Sequence, residues 1–400
     1  MKSFAVHAGA MFDGFTLSGS VTVHIRGERI ARVDRSGTVP DDGSQVIDLG
    51  SDSCLLPGLI DTHTHLAFDA GPDPVAALAG TSDEDLLVRM RAAAGSALQA
   101  GVTTVRDLGD RSYLSLALVE EFARAPERGP EILAAGPPLT TPRGHCHFFG
   151  GEVEGIAALR AAVRERHAKG CSVIKIMASG GNMTPGSIPP HASQYRLADL
   201  RAVVDEAHRL GLPVAAHAHG VDSIKDALEA GVDSLEHVSF LTADGGSEPD
   251  PALVQAIVES DTYASLTLGM DPNVPFVPPP AMAAHVQTIL NAFRALNEAG
   301  AKVVIGSDAG IGPAKPHDVL PYGVGDLARL GVEHLDALRS RDEPGGPAVR
   351  RRGPQGTDHG GSRRRPLGHS RRPCSGPRRP AGRTRGVPGR RPRTLRRHDC

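Results

Sequence analysis

Five times between residues 101 and 300, a helical stretch of the sequence ends in glycine and a short apolar run follows directly. The five glycines are Gly101, Gly170, Gly211, Gly231 and Gly300. A glycine just past a helix end is the common left-handed stop residue, and an apolar run of about four to eight residues is typical of a strand buried on both faces. The pattern therefore predicts helices that alternate with buried parallel strands, which is an α/β fold.

Three further apolar runs, at 58–65, 130–136 and 261–268, bring the number of predicted strands to eight. Helical segments separate most of them, so residues 57–338 are predicted to form a (β/α)8 TIM barrel. An open, doubly wound sheet is the competing arrangement. We favour the barrel because the strand count is eight and because no GxGxxG motif opens the first unit.

The N-terminal segment, residues 1–56, has a different pattern, with β-branched alternation in VTVHIRGERIARVD and a second short run in SQVIDL. No helix of useful length fits there, so we predict a small β module.

The C-terminal segment, residues 339–400, contains 19 arginines, no lysine and four acidic residues, which leaves +15 there and −17 in residues 1–338. Because it has little apolar surface to bury, we predict a disordered Arg/Pro/Gly-rich tail. Ile, Lys, Phe, Tyr, Met and Asn are absent from it. These residue types have AT-rich codons, so we interpret the tail as a frameshifted segment that cuts short the last barrel helix.

Charge and cysteine content indicate the partners and the compartment. The acidic body argues against binding to nucleic acid or to an anionic membrane. The basic tail would attract nucleic acid, but it has no aromatic residue to stack on bases. No apolar run of about 18 residues predicts a transmembrane helix. Five cysteines without paired spacing, and a start that lacks the apolar core of a signal peptide, predict a cytoplasmic protein.

Ionisable side chains collect at the carboxyl ends of the predicted strands, where TIM barrels carry their active sites. They are His63 and His65 on the first strand, Lys175 on the fourth, His217 and His219 on the fifth, His237 on the sixth and Asp308 on the eighth. Residues i and i+2 of a strand face the same side, so His63 and His65 can hold one ion together. Imidazole and carboxylate are ligands for zinc or a similar divalent ion, and the sequence therefore predicts a metal site.

The motifs LLPGLIDTHTHL, VIKIMASGG, VAAHAHG, SLEHVSF and VIGSDAG resemble those of the metal-dependent amidohydrolase superfamily, in particular its Xaa-Pro dipeptidase-like, zinc-carboxypeptidase-like and ochratoxinase-like branch. The resemblance implies a (β/α)8 barrel with two divalent metal ions, zinc being the expected metal. It implies that His63, His65 and Asp308 bind one ion, that His217 and His237 bind the other, and that Lys175, carboxylated by CO2, bridges them. It also implies that the N-terminal strands belong to a small composite β-sandwich.

Two such ions would lower the pKa of a bridging water, so that hydroxide is available near neutral pH. Asp308 would take its proton and later pass a proton to the leaving amine. We therefore predict hydrolysis of an amide or peptide-like C–N bond in a small molecule, such as a dipeptide or an N-acyl amino acid. His145 in GHCHFFGG, Tyr195 and His219 are predicted to contact the substrate.

Other interpretations remain open at this stage. One is a mononuclear cyclic-amide hydrolase or deaminase of the imidazolonepropionase type, which Lys175 argues against because such enzymes need no bridging lysine. Two others are not enzymatic: an inactive frameshifted product, or a nucleic-acid binder that acts through the tail. Arg106 and Asp107, at the end of the second strand, are predicted to form a structural ion pair, and a homo-oligomer is compatible with all of these interpretations.

Overall fold

The computed structural model describes residues 3–39, 45–246, 248–275, 278 and 285–333, and the strand Gly368–Arg371. The chain divides into two compact units. The smaller comprises Met1–Asp13, Leu17–Leu56 and the chain from His369, and the larger comprises Gly14–Thr16 and Pro57–Gly368. Most of the predicted tail and the predicted frameshift at residue 339 lie outside the described residues.

The smaller unit contains only strands among its described residues. They are β1 (Ser3–Ala8), β2 (Ala10–Phe12), β3 (Leu17–Ser18), β4 (Val21–Arg26), β5 (Arg29–Asp34), β6 (Gln45–Asp48) and β7 (Ser53–Leu56). One sheet has the order β5-β4-β1-β6, and a second places the strand Gly368–Arg371 beside β7, followed by β2 and β3. The described residues between 3 and 56, where the sequence predicts a β module, thus form strands in two sheets.

The strand Gly368–Arg371 lies where the sequence predicted no ordered structure. It is hydrogen-bonded to β7, at the edge of its sheet. A sheet edge presents unpaired backbone N–H and C=O groups, and these accept a further strand with little regard for its side chains. An arginine- and glycine-rich segment without a hydrophobic pattern can therefore still be recruited into a sheet, which composition alone did not predict.

The larger unit alternates strands and helices. Its strands are β8 (Leu59–Thr64), β9 (Val102–Asp107), β10 (Glu131–Ala134), β11 (Ile174–Met177), β12 (Val214–Gly220), β13 (Ser234–Thr242), β14 (Gly245–Gly246), β15 (Tyr263–Thr267) and β16 (Val303–Gly306). Its helices are α1 (Pro74–Ala79), α2 (Asp83–Gln99), α3 (Leu114–Arg124), α4 (Ile156–Lys169), α5 (Leu197–Arg209), α6 (Val221–Ala230), α7 (Pro251–Glu259), α8 (Val286–Glu298) and α9 (Leu320–Arg329).

Eight of these strands run parallel, in the orders β10-β9-β8 and β11-β12-β13-β15-β16. They coincide with the eight apolar runs of the sequence, so the predicted α/β class is confirmed. Isolated parallel bridges join Thr64 to Ala309 and Leu139 to Ile176, next to the outer strands of the two sheets.

The five glycines that were predicted to stop helices all have positive φ, between 72° and 100°. This backbone region is easily reached only without a Cβ atom. Apolar side chains of the strands and helices then form one large core, which includes Leu86, Val163, Ile176, Val203 and Leu235, all buried. Among the described residues, no helix is long and apolar enough to cross a membrane.

Candidate metal centre

Two groups of three buried side chains have ligand atoms within 4.8 Å of one another: His63, His65 and Asp308 in the first, and His217, His219 and His237 in the second. We call them the first and the second ligand group. His63 lies in β8 and His65 directly follows it, His217 and His219 lie in β12, His237 lies in β13, and Asp308 lies two residues beyond β16. The structure thus brings the predicted residues His63, His65 and Asp308 together in one group, and His217, His219 and His237 in the other.

The first ligand group brings three potential ligand atoms close together. The Nε2 atoms of His63 and His65 are 3.3 Å apart, and Oδ1 of Asp308 lies 3.6 Å from the former and 3.5 Å from the latter. Nδ1 of His63 already donates to a carboxylate oxygen of Glu236 at 2.9 Å. Its Nε2 lone pair therefore points toward the other two ligands, as a metal ligand should.

The second ligand group adjoins the first. The ring centroids of His63 and His237 are 4.8 Å apart, those of His217 and His237 are 4.7 Å apart, and the rings of His219 and His237 stack at 4.4 Å. Nδ1 of His219 is paired with Oγ of Ser239 at 2.8 Å. The imidazoles thus form one continuous cluster across three strands.

Lys175 on β11 is only 1% exposed, and its Nζ has no hydrogen-bond partner among the described residues. Burial lowers the pKa of Lys175 to about 8, although the charges of Glu236 and Asp308 oppose that shift. Burial is also the main cause that lowers the pKa of His63 and His237, and the nearby Lys175 charge adds to it in both. The charge of Lys175 therefore affects members of both ligand groups, and its Nζ is a buried polar atom that no described residue satisfies.

The imidazoles of the cluster are neutral at physiological pH. Burial lowers the pKa of His65, His145 and His219 to about 3 in each case, and it lowers that of His217 well below the usual range. A neutral imidazole offers one ring nitrogen with a free lone pair. Several such nitrogens together with a carboxylate form a donor set suited to a divalent transition metal.

Two of the candidate ligands have an unusual backbone conformation. His237 has φ of 71° and Asp308 has φ of 54°, both in the left-handed region. Non-glycine residues there are strained and persist only when their surroundings hold them. At Asp308 the backbone N–H donates to the carbonyl oxygen of His63 at 2.7 Å, which ties one ligand to another.

The residues predicted to contact substrate have different surroundings. The His145 ring lies 4.7 Å from that of His217, beside the cluster, and Gly181 leaves room for it, because a Cβ there would lie 2.4 Å from Nε2 of His145. His219 belongs to the second ligand group. Tyr195 is buried in the hydrophobic core, and its hydroxyl donates to the carbonyl oxygen of Val153 at 2.8 Å.

The predicted ion pair between Arg106 and Asp107 is wrong. Arg106 instead pairs with Glu236 at 2.6 Å, and Asp107 accepts a hydrogen bond from the backbone N–H of Leu66. Successive residues of a strand point to opposite faces, so neighbours of opposite charge are poorly placed to pair.

Sequence reasoning also missed three buried charged residues around the cluster. Asp61 accepts hydrogen bonds from the backbone N–H of both His63 and Ser307, and Lys315 donates to the carbonyl oxygen of Ser307 at 2.7 Å. Glu236 pairs with His63. The usable signal was a charged residue inside an apolar run, since an unpaired charge is costly there; Asp61 in LIDTHTH and Glu236 in SLEHVSF both show it.

Comparison with known proteins places these residues in context. The profile of the amidohydrolase family matches residues 54–334. Ochratoxinase from Aspergillus niger is 32% identical over 213 residues, which cover 46% of this chain and 43% of the relative. The chain thus spans less than half the length of this relative.

Two solved structures resemble the chain over most of its length. A Xaa-Pro dipeptidase with bound methionine in the active site matches with a TM-score of 0.72 and 26% identity, covering 85% of this chain and 87% of that one. The structure of Aspergillus niger ochratoxinase matches with a TM-score of 0.71 over 85% of this chain and 83% of that one. At 23% identity, the second likeness speaks for the fold alone.

Proposed function

The chain belongs to the amidohydrolase family, and from this premise we propose that it hydrolyses an amide or peptide-like C–N bond with the help of two divalent metal ions, zinc being the expected metal. Lys175 is the observation that carries the proposal. A buried lysine near two groups of ligand atoms, without a hydrogen-bond partner among the described residues, is costly unless something else satisfies it. That cost would be removed if Lys175 supplied the ligand that bridges two metal ions.

The residues present fit two ions. In the first ligand group, His63 Nε2, His65 Nε2 and Asp308 Oδ1 lie 3.3–3.6 Å apart. Two imidazole nitrogens and a carboxylate oxygen this close together form a donor set that suits a divalent cation. His217 and His237 would hold the second ion.

Carboxylated Lys175 would bridge the two ions. In that modification the lone pair of neutral Nζ attacks the carbon of CO2 and an N–C bond forms, while the electron pair of one C=O π bond moves onto its oxygen. Nζ then passes one proton to water, which leaves an anionic carbamate. A pKa of about 8 leaves part of the amine neutral near physiological pH, as this step requires.

When bound, the metals would supply an activated water and polarise the scissile carbonyl group. The chain's own groups would move the protons and hold the substrate. A carboxylate oxygen of Asp308 would accept the proton of the attacking water and then deliver a proton to the departing amine nitrogen. The neutral ring of His145, beside His217, would donate to the substrate's carbonyl or carboxylate oxygen.

Dipeptides and N-acyl amino acids are the proposed substrates. The similarity to a Xaa-Pro dipeptidase and to ochratoxinase supports this class. His219 faces the cluster and would line the substrate side of the site. A role for Tyr195 at the substrate's carboxylate requires its hydroxyl to leave Val153, to which it now donates.

The proposed architecture is one closed barrel built from both parallel sheets. The bridges Thr64–Ala309 and Leu139–Ile176 support closure on both sides, as does the hydrogen bond from the backbone N–H of Ser172 to the carbonyl oxygen of Ala134. The two sheets of the smaller unit would form the proposed β-sandwich.

The decisive experiment combines metal analysis of the purified chain with hydrolysis assays on a panel of dipeptides and N-acyl amino acids. Two ions per chain and turnover that disappears on chelation would support the proposal. One ion per chain, with turnover only of cyclic amides or aminopurines, would favour the mononuclear alternative. A ¹³C signal of a lysine carbamate after growth on labelled bicarbonate would report on the bridge itself.

A further inference from the structure

We infer that Glu236 is a positioning residue that fixes which ring nitrogen of His63 carries the proton, and that Arg106 and Ser234 lock Glu236 in the orientation this requires. The inference rests on the proposed metal centre and deepens it. It concerns Glu236, which orients the proposed ligand His63, and not the metal ligands themselves.

Glu236 lies on β13 with its side chain fully buried. One carboxylate oxygen, Oε2, accepts a hydrogen bond from Nδ1 of His63 at 2.9 Å. The other, Oε1, accepts from Nη2 of Arg106 and from Oγ of Ser234, both at 2.6 Å. Each oxygen therefore has its own partners, and the carboxylate cannot turn without breaking them.

Arg106 is held just as firmly. Its Nη1 donates to Oγ of Ser234 at 3.0 Å and its Nε donates to the carbonyl oxygen of Thr62 at 2.5 Å. Because guanidinium is permanently charged and donates only, the oxygen of Glu236 that faces it must accept. The positive charge of Arg106 also offsets the cost of burying the carboxylate.

These constraints decide the tautomer of His63. A carboxylate can only accept, so Nδ1 of His63 must carry the proton. Nε2 then keeps its lone pair, and it is this atom that lies 3.3 Å from Nε2 of His65. Carboxylates commonly orient metal-binding histidines in this way, but here the carboxylate is itself fixed by two further side chains.

The network also joins elements that are distant along the chain. His63 is on β8, Arg106 on β9 and Glu236 on β13, so three strands from two sheets meet at one carboxylate. Glu236 directly precedes His237, a member of the second ligand group. A displacement of Glu236 therefore disturbs His63 through its side chain and His237 through its backbone.

Glu236→Gln tests the inference, because it preserves shape and reverses one hydrogen bond. The amide oxygen should face Arg106 and Ser234, which both donate. The amide NH2 must then face Nδ1 of His63 and donate to it, which moves the imidazole proton to Nε2. This variant should place a proton on the atom meant to bind metal.

The first measurement is ¹⁵N NMR of the full chain after metal is removed by chelation, with the His63 signals assigned from their loss in His63→Asn. We expect the proton on Nδ1 in the unmodified chain and on Nε2 in Glu236→Gln. A proton on Nε2 in the unmodified chain would overturn the inference without any variant, even if Glu236→Gln failed to fold.

The second measurement is the zinc affinity, determined by competition with a chromophoric chelator. Loss of an orienting partner typically weakens metal binding about 10- to 100-fold, and we expect at least that loss for the tighter zinc in Glu236→Gln. Unchanged affinity and an unchanged tautomer would reject the role of Glu236. If the unmodified chain bound no zinc, the proposed function would be wrong. The tautomer of His63 would still test the role of Glu236.

Asp110→Asn is the matched control. It also converts a buried carboxylate to an amide, but Asp110 accepts from the backbone N–H of Ser115, and among the described residues no hydrogen bond or ion pair joins its side chain to the ligand groups. We expect its His63 tautomer and zinc affinity to equal those of the unmodified chain. Equal effects in both variants would show that loss of any buried charge suffices, and would overturn the inference.

Discussion

Asp61 binds Ser307 through both of its carboxylate oxygens. The backbone N–H of Ser307 donates to Oδ1 at 2.9 Å, and its hydroxyl donates to Oδ2 at 2.5 Å. Oδ1 also accepts from the backbone N–H of His63 at 3.1 Å. One buried carboxylate thus joins β8 to the segment after β16 and holds the residue before Asp308, whose left-handed backbone needs such support.

Asp61→Ala should unfold at a clearly lower urea concentration than the unmodified chain. It leaves three buried donors without an acceptor, and each such donor costs about 1–3 kcal/mol. Asp61→Asn should lose far less, because its amide oxygen can still accept from both backbone N–H groups. Equal losses of unfolding free energy in the two variants would contradict this account of the pair.

Lys175→Met should fold at least as stably as the unmodified chain. It replaces a buried amine, which has no hydrogen-bond partner in the described part of the chain, with an apolar side chain of similar size. It should bind at most one metal ion and lose at least about 100-fold in turnover, since it can offer no bridging oxygens. Metal analysis and a hydrolysis assay measure both.

Lys175→Ala provides a sharper version of the same experiment. It leaves a cavity beside both ligand groups, which a small carboxylate such as acetate can enter. Added acetate should restore part of the activity in Lys175→Ala but none in Lys175→Met, where the cavity is filled. Full activity and two metal ions in Lys175→Met would rule out the bridging role.

The sequence indicated the strands and the candidate site residues for the same reason. A parallel strand buried on both faces is a continuous apolar run, so a histidine, lysine or aspartate within it or shortly after it is conspicuous. His63, Lys175, His217 and Asp308 could all be recognised in this way, and the helix-stopping glycines fixed the order of the elements.

What the sequence did not predict depends on contacts between distant strands. Arg106 pairs with Glu236, which is 130 residues away along the chain, and not with its neighbour Asp107. Asp61 meets Ser307 across 246 residues. No local pattern encodes such partners. The strand Gly368–Arg371 was missed for another reason, because its pairing uses backbone groups that every sequence carries.

Gly181→Ala should impair catalysis without unfolding the chain. A Cβ at this position would lie 2.4 Å from Nε2 of His145, so the imidazole must move. If His145 holds the substrate, kcat/KM should fall while metal content stays the same. Gly325→Ala is a suitable control because a Cβ there meets nothing within 4 Å. A Gly181→Ala variant with normal kcat/KM would remove His145 from the reaction.

His219→Asn separates two roles for a residue that stands among candidate ligands. If His219 contacts substrate, both metal ions should remain and KM should rise, because the proposed ligands His217, His237 and Lys175 are all retained. Loss of one metal ion per chain would instead identify His219 as a ligand. Metal analysis and steady-state kinetics on one preparation distinguish these outcomes.

Asp110→Asn should stabilise the chain at alkaline pH. Oδ1 of Asp110 and Oδ2 of Asp107 are buried without a hydrogen-bond partner among the described residues. Burial raises the pKa of Asp110 to about 6, and burial together with the charge of Asp110 raises that of Asp107 further. Both shifts favour the protonated carboxyl in the folded state.

The sign of the effect follows from these directions. An aspartate whose pKa is higher in the folded than in the unfolded chain contributes stability that is complete below about pH 4 and is lost as the pH rises through 6. The unfolding free energy should therefore fall over that interval, and the fall should be smaller in Asp110→Asn.

At pH 8 the variant should be more stable by about 1–3 kcal/mol, since one pKa unit corresponds to about 1.4 kcal/mol. Urea unfolding at pH 5 and pH 8 measures the difference, with the exposed substitution Glu120→Gln as the control. An Asp110→Asn variant that was less stable than the unmodified chain at pH 8 would show that a bound cation or another partner compensates the two carboxylates.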